Sequence, residues 1–230
     1  MSKKTPLIEL NDVWKTYKMG DNLVHALRGL NLKVYEGEFV AIMGRSGAGK
    51  STAMNLIGCL DIPTKGTILL NNQNISHMSE SKLAQIRGKT IGFIFQKFNL
   101  INTLTAKENI ILPLIFQGYS EEKREHTAEK LLSLVDLKER ENHKPSELSG
   151  GQQQRVAIAR ALAAEPKVIL ADEPTGNLDS QTGDKVIDFL KELHKQGKTI
   201  VMVTHDEHLA KIAERIEVLS DGQIIKSKKR

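Results

Sequence analysis

The sequence predicts an α/β protein with a mostly parallel β-sheet, and two observations support this prediction. Short apolar runs typical of buried strands alternate with segments whose apolar residues recur at the helical period. A glycine-rich segment, Gly44–Ser51, lies between a strand and a helix and reads GRSGAGKS, which matches the phosphate-loop pattern G-x-x-x-x-G-K-[ST]. Strands that alternate with helices favour a parallel sheet covered on both faces.

The segment before the phosphate loop is predicted to be rich in strands. Ile8–Leu10 and Val13–Tyr17 have the pattern of short strands, and Leu30–Val34 alternates apolar and polar residues as a half-buried strand does. A further strand at Glu38–Met43 leads directly into the loop. We therefore expect an N-terminal antiparallel β section.

The middle of the chain is predicted to be helical. Strand patterns at Thr67–Leu70 and Ile91–Phe95 come first, and the stretch from Leu100 to about Ala164 then has helical texture. No linker separates this stretch from its surroundings, so we interpret it as an insertion into one α/β domain. The predicted division of the single domain 1–230 is an ATP-binding core at about 1–97 and 155–230 and a helical subdomain at about 98–154.

The last part of the chain returns to strands that alternate with helices. Strands are predicted at Val168–Ala171 and Thr199–Val203, and helices near Thr182–His194 and Glu207–Ala213. A final pair of strands is expected around Ser220–Gly222, where an Asp-Gly sequence favours a turn.

The phosphate loop has a direct chemical interpretation. Its glycines let the backbone curl with the N–H groups pointing inward, and the predicted helix Lys50–Ile57 adds the positive end of its dipole. We expect Lys50 to reach the β- and γ-phosphates of a nucleotide and Ser51 to hold Mg²⁺. The residues of this loop expected to bind the nucleotide are Gly44, Arg45, Ser46, Gly47, Ala48, Gly49, Lys50, Ser51 and Thr52.

Polar residues that follow three predicted strands are candidates for catalysis. Asp172 and Glu173 end an apolar strand, where Asp172 can position Mg²⁺ and Glu173 can accept a proton from the attacking water. Gln96 can bind Mg²⁺ or the water, and His205 can donate to the γ-phosphate. Acidic turns and strand-end caps use the same residue types, but the phosphate loop favours the catalytic interpretation. The predicted catalytic residues are Glu173, His205, Gln96 and Lys50, and the predicted metal ligands are Ser51, Gln96 and Asp172.

A second glycine-rich element, Leu148–Gln152, reads LSGGQ and precedes a predicted helix at Gln153–Ala164. Ser149, Gly150 and Gly151 would present backbone amides at a helix N-terminus, which is a favourable place for phosphate. One ATP does not need two such sites, so two chains placed head to tail could each complete the other's site. The alternative is a helix cap that binds no ligand.

Composition indicates an ordinary globular domain. The chain has 230 residues, 40% of them hydrophobic and 27% charged, and a formal net charge of +5. Its basic residues are scattered, so no nucleic-acid partner is predicted. The one dense group, Lys226, Lys228, Lys229 and Arg230, is interpreted as a frayed, solvated tail.

Targeting signals and cysteine usage predict a cytoplasmic location. No apolar run approaches the roughly 18 residues that mark a transmembrane candidate, and no secretory signal follows Met1. The single cysteine, Cys59, excludes an internal disulfide and fits a reducing compartment, and its apolar setting favours simple packing.

These motifs together resemble the nucleotide-binding domain of an ATP-binding cassette (ABC) transporter, and the resemblance covers nearly the whole chain. The family's motifs occur in order as an aromatic residue (Tyr17), the Walker A loop (Gly44–Ser51), the Q-loop (Gln96), the signature (Leu148–Gln152), the Walker B strand (Val168–Asp172) with Glu173, the D-loop (Asn177–Asp179) and the switch histidine (His205).

The resemblance implies a function and a set of partners. It implies ATP and Mg²⁺ as cofactors, a homodimer that closes on two ATP molecules, and coupling to integral membrane permease subunits at the inner face of the cell membrane. Tyr17 would stack on adenine, and Ser149, Gly150, Gly151, Gln152 and Asp179 would join the nucleotide site.

Several stretches resemble the lipoprotein-releasing and macrolide-efflux branch of the family, which is LolD/MacB-like. They include Ile57–Asp61, Gly92–Gln96 and Ala171–Asp179. Arg45 and Ala48 stand where that branch more often has proline and serine, and both can still contribute backbone amides. The resemblance favours a transporter ATPase that handles lipoproteins, peptides or hydrophobic compounds. An alternative is a regulatory ATPase that transmits force through a membrane partner without transport, and a soluble cassette acting on DNA or ribosomes is the weaker third possibility.

Overall fold

The computed structural model describes residues 5–229, which form ten strands and seven α-helices. The strands are β1 (Ile8–Met19), β2 (Asn22–Val34), β3 (Phe39–Met43), β4 (Lys65–Leu70), β5 (Gln73–Asn74), β6 (Ile91–Ile94), β7 (Val168–Asp172), β8 (Thr199–Thr204), β9 (Arg215–Ser220) and β10 (Gln223–Lys229). The helices are α1 (Lys50–Ile57), α2 (Glu80–Thr90), α3 (Ala106–Phe116), α4 (Glu121–Leu134), α5 (Gly150–Leu162), α6 (Ser180–Lys195) and α7 (Glu207–Ala210). The described residues form two compact units: one comprises residues 5–87 and 193–229, and the other is Gly88–Glu192.

The first unit contains an antiparallel sheet with the strand order β2-β1-β4-β5. The two short strands predicted near the N-terminus form the single strand β1, whose register with β2 shifts between Leu10 and Val13. Asp12 has a left-handed φ of 48° at this bulge. The predicted N-terminal antiparallel section is therefore confirmed.

The same unit contains parallel strands that position the phosphate loop. β3 pairs in parallel with both β8 and β9, and β10 pairs antiparallel with β9. Phe39, Val40 and Ala41 of β3 and all of β8 are buried, as expected for strands covered on both faces.

The basic C-terminal residues correct one prediction. Lys226, Lys228 and Lys229 belong to strand β10, where they pair with Val218, Ile216 and Arg215 of β9. The interpretation of this group as a frayed tail is therefore wrong for these three lysines, whose side chains are exposed while their backbone pairs. Arg230 lies outside the described residues.

The second unit combines a short parallel pair of strands with a helical region. β6 pairs in parallel with β7, and α5 packs against β6. Helix α3 contacts α4 and α5, and the three helices share buried apolar residues such as Ile110, Leu132 and Val156. The helical structure predicted after Leu100 is thus present. Helix α2 was not predicted, because Leu83 is its one buried residue and the apolar period is absent.

Candidate functional site

The phosphate loop joins the end of β3 to the start of α1. Gly49 precedes the helix with no side-chain cap, and no acidic residue occupies the first turn. The helix N-terminus therefore presents backbone N–H groups and positive potential without a capping carboxylate or hydroxyl. Lys50 is 8% exposed, and its Nζ donates to the carbonyl oxygens of Gly44 at 2.8 Å and Arg45 at 2.9 Å. The loop thus folds around an ammonium group.

Backbone contacts fix the shape of the loop. Gly49 has a φ of 101°, and a Cβ there would lie 2.4 Å from the carbonyl oxygen of Ala26, so only glycine fits without displacement. Ala48 N donates to Arg45 O at 3.2 Å, and Ala48 O accepts from Gly222 N at 3.0 Å. Arg45 and Ser46 are exposed and Ala48 is buried. The charged side chain of Arg45 therefore does not fill the loop.

His205 lies next to the phosphate loop at the same edge of the parallel strands. Met43 of β3 pairs with Thr204 of β8, so Gly44 and His205 each follow the end of neighbouring strands. Asp206 then caps α7, accepting from the backbone N–H of His208 at 2.6 Å. The contact of His205 with a terminal phosphate stays a prediction.

Tyr17 is held by a small charged network in the same unit. Its hydroxyl donates to Asp61 Oδ2 at 3.0 Å, and Lys15 Nζ donates to Asp61 Oδ1 at 2.6 Å. Lys15 Nζ also lies 5.0 Å from the centroid of the tyrosine ring, a cation–π distance. The phenol in addition contacts the hydroxyl of Thr52, which belongs to the first turn of α1. Tyr17 is therefore fixed beside the phosphate loop.

Protonation in this network follows from burial and hydrogen bonding. Burial raises the pKa of Tyr17, and the charge of Asp61 adds to the effect, so the phenol stays neutral. Burial also acts to raise the pKa of Asp61, but hydrogen bonds from Lys15, the Ile62 N–H and Tyr17 outweigh it and lower the pKa. Asp61 and Lys15 were not predicted from the sequence, because Asp61 lies in the turn after α1, where no apolar period marks it.

In the second unit, Gln96, Asp172 and Glu173 lie at one edge of a strand pair. Ile94 of β6 pairs with Ala171 of β7, so Asp172, the last residue of β7, lies with Gln96 and Glu173 at the carboxyl ends of neighbouring parallel strands. Asn177 Nδ2 donates to the carbonyl oxygen of Gln96 at 2.9 Å, which ties the D-loop to this edge. Glu173 has a left-handed φ of 43°.

The LSGGQ element begins helix α5 earlier than predicted. The sequence predicts a start at Gln153, whereas the structure starts the helix at Gly150 with Ser149 as its N-cap. Ser149 Oγ accepts from Gln152 N at 3.3 Å, and Gln152 Oε1 accepts from Ser149 N at 2.8 Å. This reciprocal capping overrides the poor helix propensity of the two glycines. The amides of Gly150 and Gly151 therefore lie in the first helical turn.

The D-loop and the signature loop lie side by side in the second unit. A Cβ on Gly151 would come within 2.3 Å of Thr182 Cγ2. Thr182 N in turn donates to Asp179 Oδ1 at 3.0 Å. Hydrogen bonds from the side chain and backbone of Thr182 lower the pKa of Asp179, which therefore remains ionised at neutral pH. Asp179 acts locally as a cap on α6.

Each of the two units, taken by itself, contains side-chain oxygens of the kind that bind magnesium. Within residues 5–229, no group of three or more His, Cys, Asp or Glu side chains could hold a metal ion by itself. Mg²⁺ is usually held by one or two carboxylates together with substrate phosphates. In the first unit the hydroxyl residue Ser51 is exposed, and in the second unit Gln96 and Asp172 lie at the ends of neighbouring parallel strands, so each unit carries oxygen atoms of the type that Mg²⁺ binds.

Among the described residues, no helix is both long enough and apolar enough to span a membrane.

A phosphate loop on a parallel sheet, an LSGGQ helix and a following D-loop define an ATP-binding cassette. The chain matches the model of the ABC transporter family over residues 27–176 and belongs to that family as an ATP-binding ATPase. It is 53% identical over 228 residues to the uncharacterized ABC transporter ATP-binding protein MJ0796 of Methanocaldococcus jannaschii, with 97% of each chain covered.

Two further comparisons extend this assignment. The chain is 51% identical over 219 residues to the macrolide export ATP-binding/permease protein MacB of Wolinella succinogenes, covering 95% of this chain and 34% of MacB. The dimeric structure of a post-hydrolysis state of the ATP-binding cassette MJ0796, bound to ADP and Pi, superimposes with a TM-score of 0.90 at 51% identity. That match covers 96% of this chain and 98% of the MJ0796 chain. The predicted family and fold are confirmed.

Proposed function

We propose that the chain is the ATP-hydrolysing subunit that powers an ABC transporter, with two ATP molecules bound at the interface of a head-to-tail homodimer. The observation that carries the proposal is the uncapped start of α1, with Lys50 bound to the loop carbonyls. A nucleoside triphosphate is an anion complementary to these amides and to this ammonium group. The function rests on that complementarity and on the family to which the chain belongs.

The nucleotide is held by backbone amides and by one aromatic ring. The N–H groups of residues 45–52 bind the phosphates, and Lys50 exchanges the carbonyls of Gly44 and Arg45 for the β- and γ-phosphates. Tyr17 stacks on adenine with the face opposite Lys15. Because the phenol is anchored to Asp61, the ring is in place before the base arrives.

Hydrolysis uses residues at the carboxyl ends of the parallel strands. Glu173 accepts a proton from the attacking water, Gln96 orients that water, and His205 donates to the γ-phosphate. Ser51, Asp172 and Gln96 would hold Mg²⁺, which supplies neutralisation of the phosphate charge when bound. Each residue acts mainly by position and charge, as phosphoryl transfer requires.

The signature loop completes the site of a second copy. The amides of Gly150 and Gly151, with Ser149 and Gln152, would bind the γ-phosphate held by the partner's phosphate loop. Asp179 would meet the partner at the same interface. The dimer of the MJ0796 cassette with ADP and Pi supports this arrangement, since that cassette is similar over nearly its whole length.

The membrane partner is proposed from the relatives. MacB proteins are named as ATP-binding/permease proteins, and this chain spans about a third of the MacB relatives it matches. We propose that it works with integral membrane permease subunits at the cytoplasmic face of the membrane. The proposed cargo is a lipoprotein, a peptide or a hydrophobic compound.

Phosphate release by the purified chain tests the ATPase function. Lys50→Ala should abolish most ATP turnover, because it removes the cation at the β/γ-phosphate position while leaving the loop backbone in place. Lys82→Ala, at an exposed position of α2, is the matched control and should keep wild-type turnover. Wild-type turnover in folded Lys50→Ala protein would refute the proposed phosphate site.

A further inference from the structure

Gln154 is a fully buried polar residue that the proposed catalytic scheme does not use. It lies in α5 at 0% exposure, and its Nε2 donates to the carbonyl oxygen of Pro174 at 2.7 Å. Its Oε1 has no protein hydrogen-bond partner among the described residues. Burying an amide with one polar end unmatched is unfavourable, and an apolar side chain of similar volume would avoid this penalty. The hydrogen bond to Pro174 is therefore the feature that distinguishes glutamine from such a side chain.

Pro174 directly follows Glu173, whose backbone is strained. Glu173 has a φ of 43°, in the left-handed region that residues with a Cβ rarely adopt. The proline after it restricts its backbone further. Such conformations persist only where the surroundings fix them. Two hydrogen bonds hold the two carbonyl groups at this point: Gly176 N donates to Glu173 O at 3.0 Å, and Gln154 Nε2 donates to Pro174 O.

Gln154 also lies one turn after the glycines of the signature loop. Gly150 and Gly151 precede it by four and three residues in α5, so all three lie on one side of the helix. A displacement of the start of α5 would therefore move the amide that holds Pro174. The side chain is a direct mechanical link between the signature helix and the backbone that carries Glu173.

We propose that Gln154 is a positioning residue for Glu173, which fixes the carboxylate for hydrolysis and couples it to the signature helix of the same chain. This inference rests on the proposed catalytic role of Glu173. Loss of the link removes none of the groups that the proposed function assigns to nucleotide binding. Its effect falls on turnover and leaves ATP binding intact.

The experiment measures kcat, KM for ATP and Tm for Gln154→Met and Gln154→Asn. Methionine keeps the volume without an amide, and asparagine keeps the amide but is one methylene too short to reach Pro174 O. In both variants kcat should fall about 10- to 100-fold, the scale expected for a misplaced catalytic group. KM should stay within about threefold, and Tm within about 4 °C.

Gln117→Met is the matched control. Gln117 Nε2 also donates to a backbone carbonyl, that of Gly88 at 2.6 Å, at a place remote from Glu173 in the sequence. This variant should keep wild-type kcat. Wild-type kcat in folded Gln154→Met would overturn the proposal, and so would loss of the folded state in both Gln154 variants, which would show a purely structural role.

Glu173→Gln, assayed in parallel, separates this inference from the proposed function. If Glu173→Gln retains wild-type hydrolysis, Glu173 has no catalytic role, and the proposed function fails together with the inference. If Glu173→Gln is inactive and the Gln154 variants are unaffected, the proposed function stands and the inference alone fails.

Discussion

Replacement of Tyr17 by alanine tests the adenine position most directly. The ring has Lys15 Nζ 5.0 Å from its centroid on one face, and its hydroxyl is anchored 3.0 Å from Asp61 Oδ2. A base that stacks on this ring would therefore use the opposite face. One base–aromatic stack contributes about 1–3 kcal/mol. We therefore expect Tyr17→Ala to raise the Kd for nucleotide by about 5- to 150-fold, since about 1.4 kcal/mol corresponds to a factor of ten.

Isothermal titration calorimetry with a non-hydrolysable ATP analogue and Mg²⁺ measures this change. Tyr17→Phe keeps the stacking ring and loses the bond to Asp61, so it should weaken binding less than Tyr17→Ala. Tyr119→Ala is the matched control, because Lys123 Nζ lies 4.2 Å from the centroid of that ring but the side chain belongs to the helical region. An unchanged Kd in Tyr17→Ala, with binding lost in Lys50→Ala, would place the adenine elsewhere.

Three further predictions follow from local geometry. Gly49→Ala should lower the free energy of unfolding, measured by urea titration, by about 2–6 kcal/mol, because a Cβ at φ 101° is strained and overlaps Ala26 O. Gly47→Ala should lower the free energy of unfolding by less, because Gly47 has a φ of 80° but no atom lies within 4 Å of the position that a Cβ would take. Burial raises the pKa of Cys59 to about 11 from 9.0, so its contribution to stability is complete below pH 9 and is lost between about pH 9 and 11. The urea midpoint of the wild-type protein should therefore fall as the pH rises from about 9 to 11, and that of Cys59→Ala should fall less. Equal slopes of midpoint against pH in the two proteins would contradict the prediction. Glu173→Gln should accumulate as an ATP-dependent dimer that Ser149→Arg disrupts.

The sequence was most informative where local chemistry and burial agree. The start of α1 at Lys50 and the strand Val168–Asp172 were predictable, because a glycine-rich turn and an uninterrupted apolar run each have few alternatives. The start of α5 was misplaced, since Gly150 and Gly151 disfavour a helix and the Ser149–Gln152 capping pair outweighs them. The final pair of strands around Ser220–Gly222 was predicted and forms β9 and β10, but the extension of β10 through the basic residues was not, because its exposed lysines have no apolar alternation.

The candidate site was predictable as a set of motifs but not as a network. Gln154 gives no signal in the sequence beyond a polar residue within LSGGQQQR, because its importance depends on Pro174, twenty residues away, accepting its hydrogen bond. Lys15 and Asp61 are likewise ordinary charged residues until folding places them around the Tyr17 ring. The residues that hold the motif residues in position could therefore be identified only from tertiary contacts.

The dimer prediction tests the composite site. Glu173→Gln keeps the reach of the side chain but removes its basicity, so ATP stays intact between one chain's phosphate loop and the other's signature loop. Removal of the negative charge also reduces repulsion with the triphosphate, which favours the same closed state. Adding Ser149→Arg places a bulky side chain where Gly150 and Gly151 must approach phosphate, while the monomer keeps its own phosphate loop.

Size-exclusion chromatography with light scattering, with and without ATP, measures whether each variant is a monomer or a dimer. Ser120→Arg in the same Glu173→Gln background is the matched control, because Ser120 is the N-cap residue of α4 and lies outside the signature loop. It should leave the dimer intact. A Glu173→Gln protein that stays monomeric at saturating ATP, or a Ser149→Arg double mutant that still dimerises, would leave LSGGQ with no role beyond capping α5.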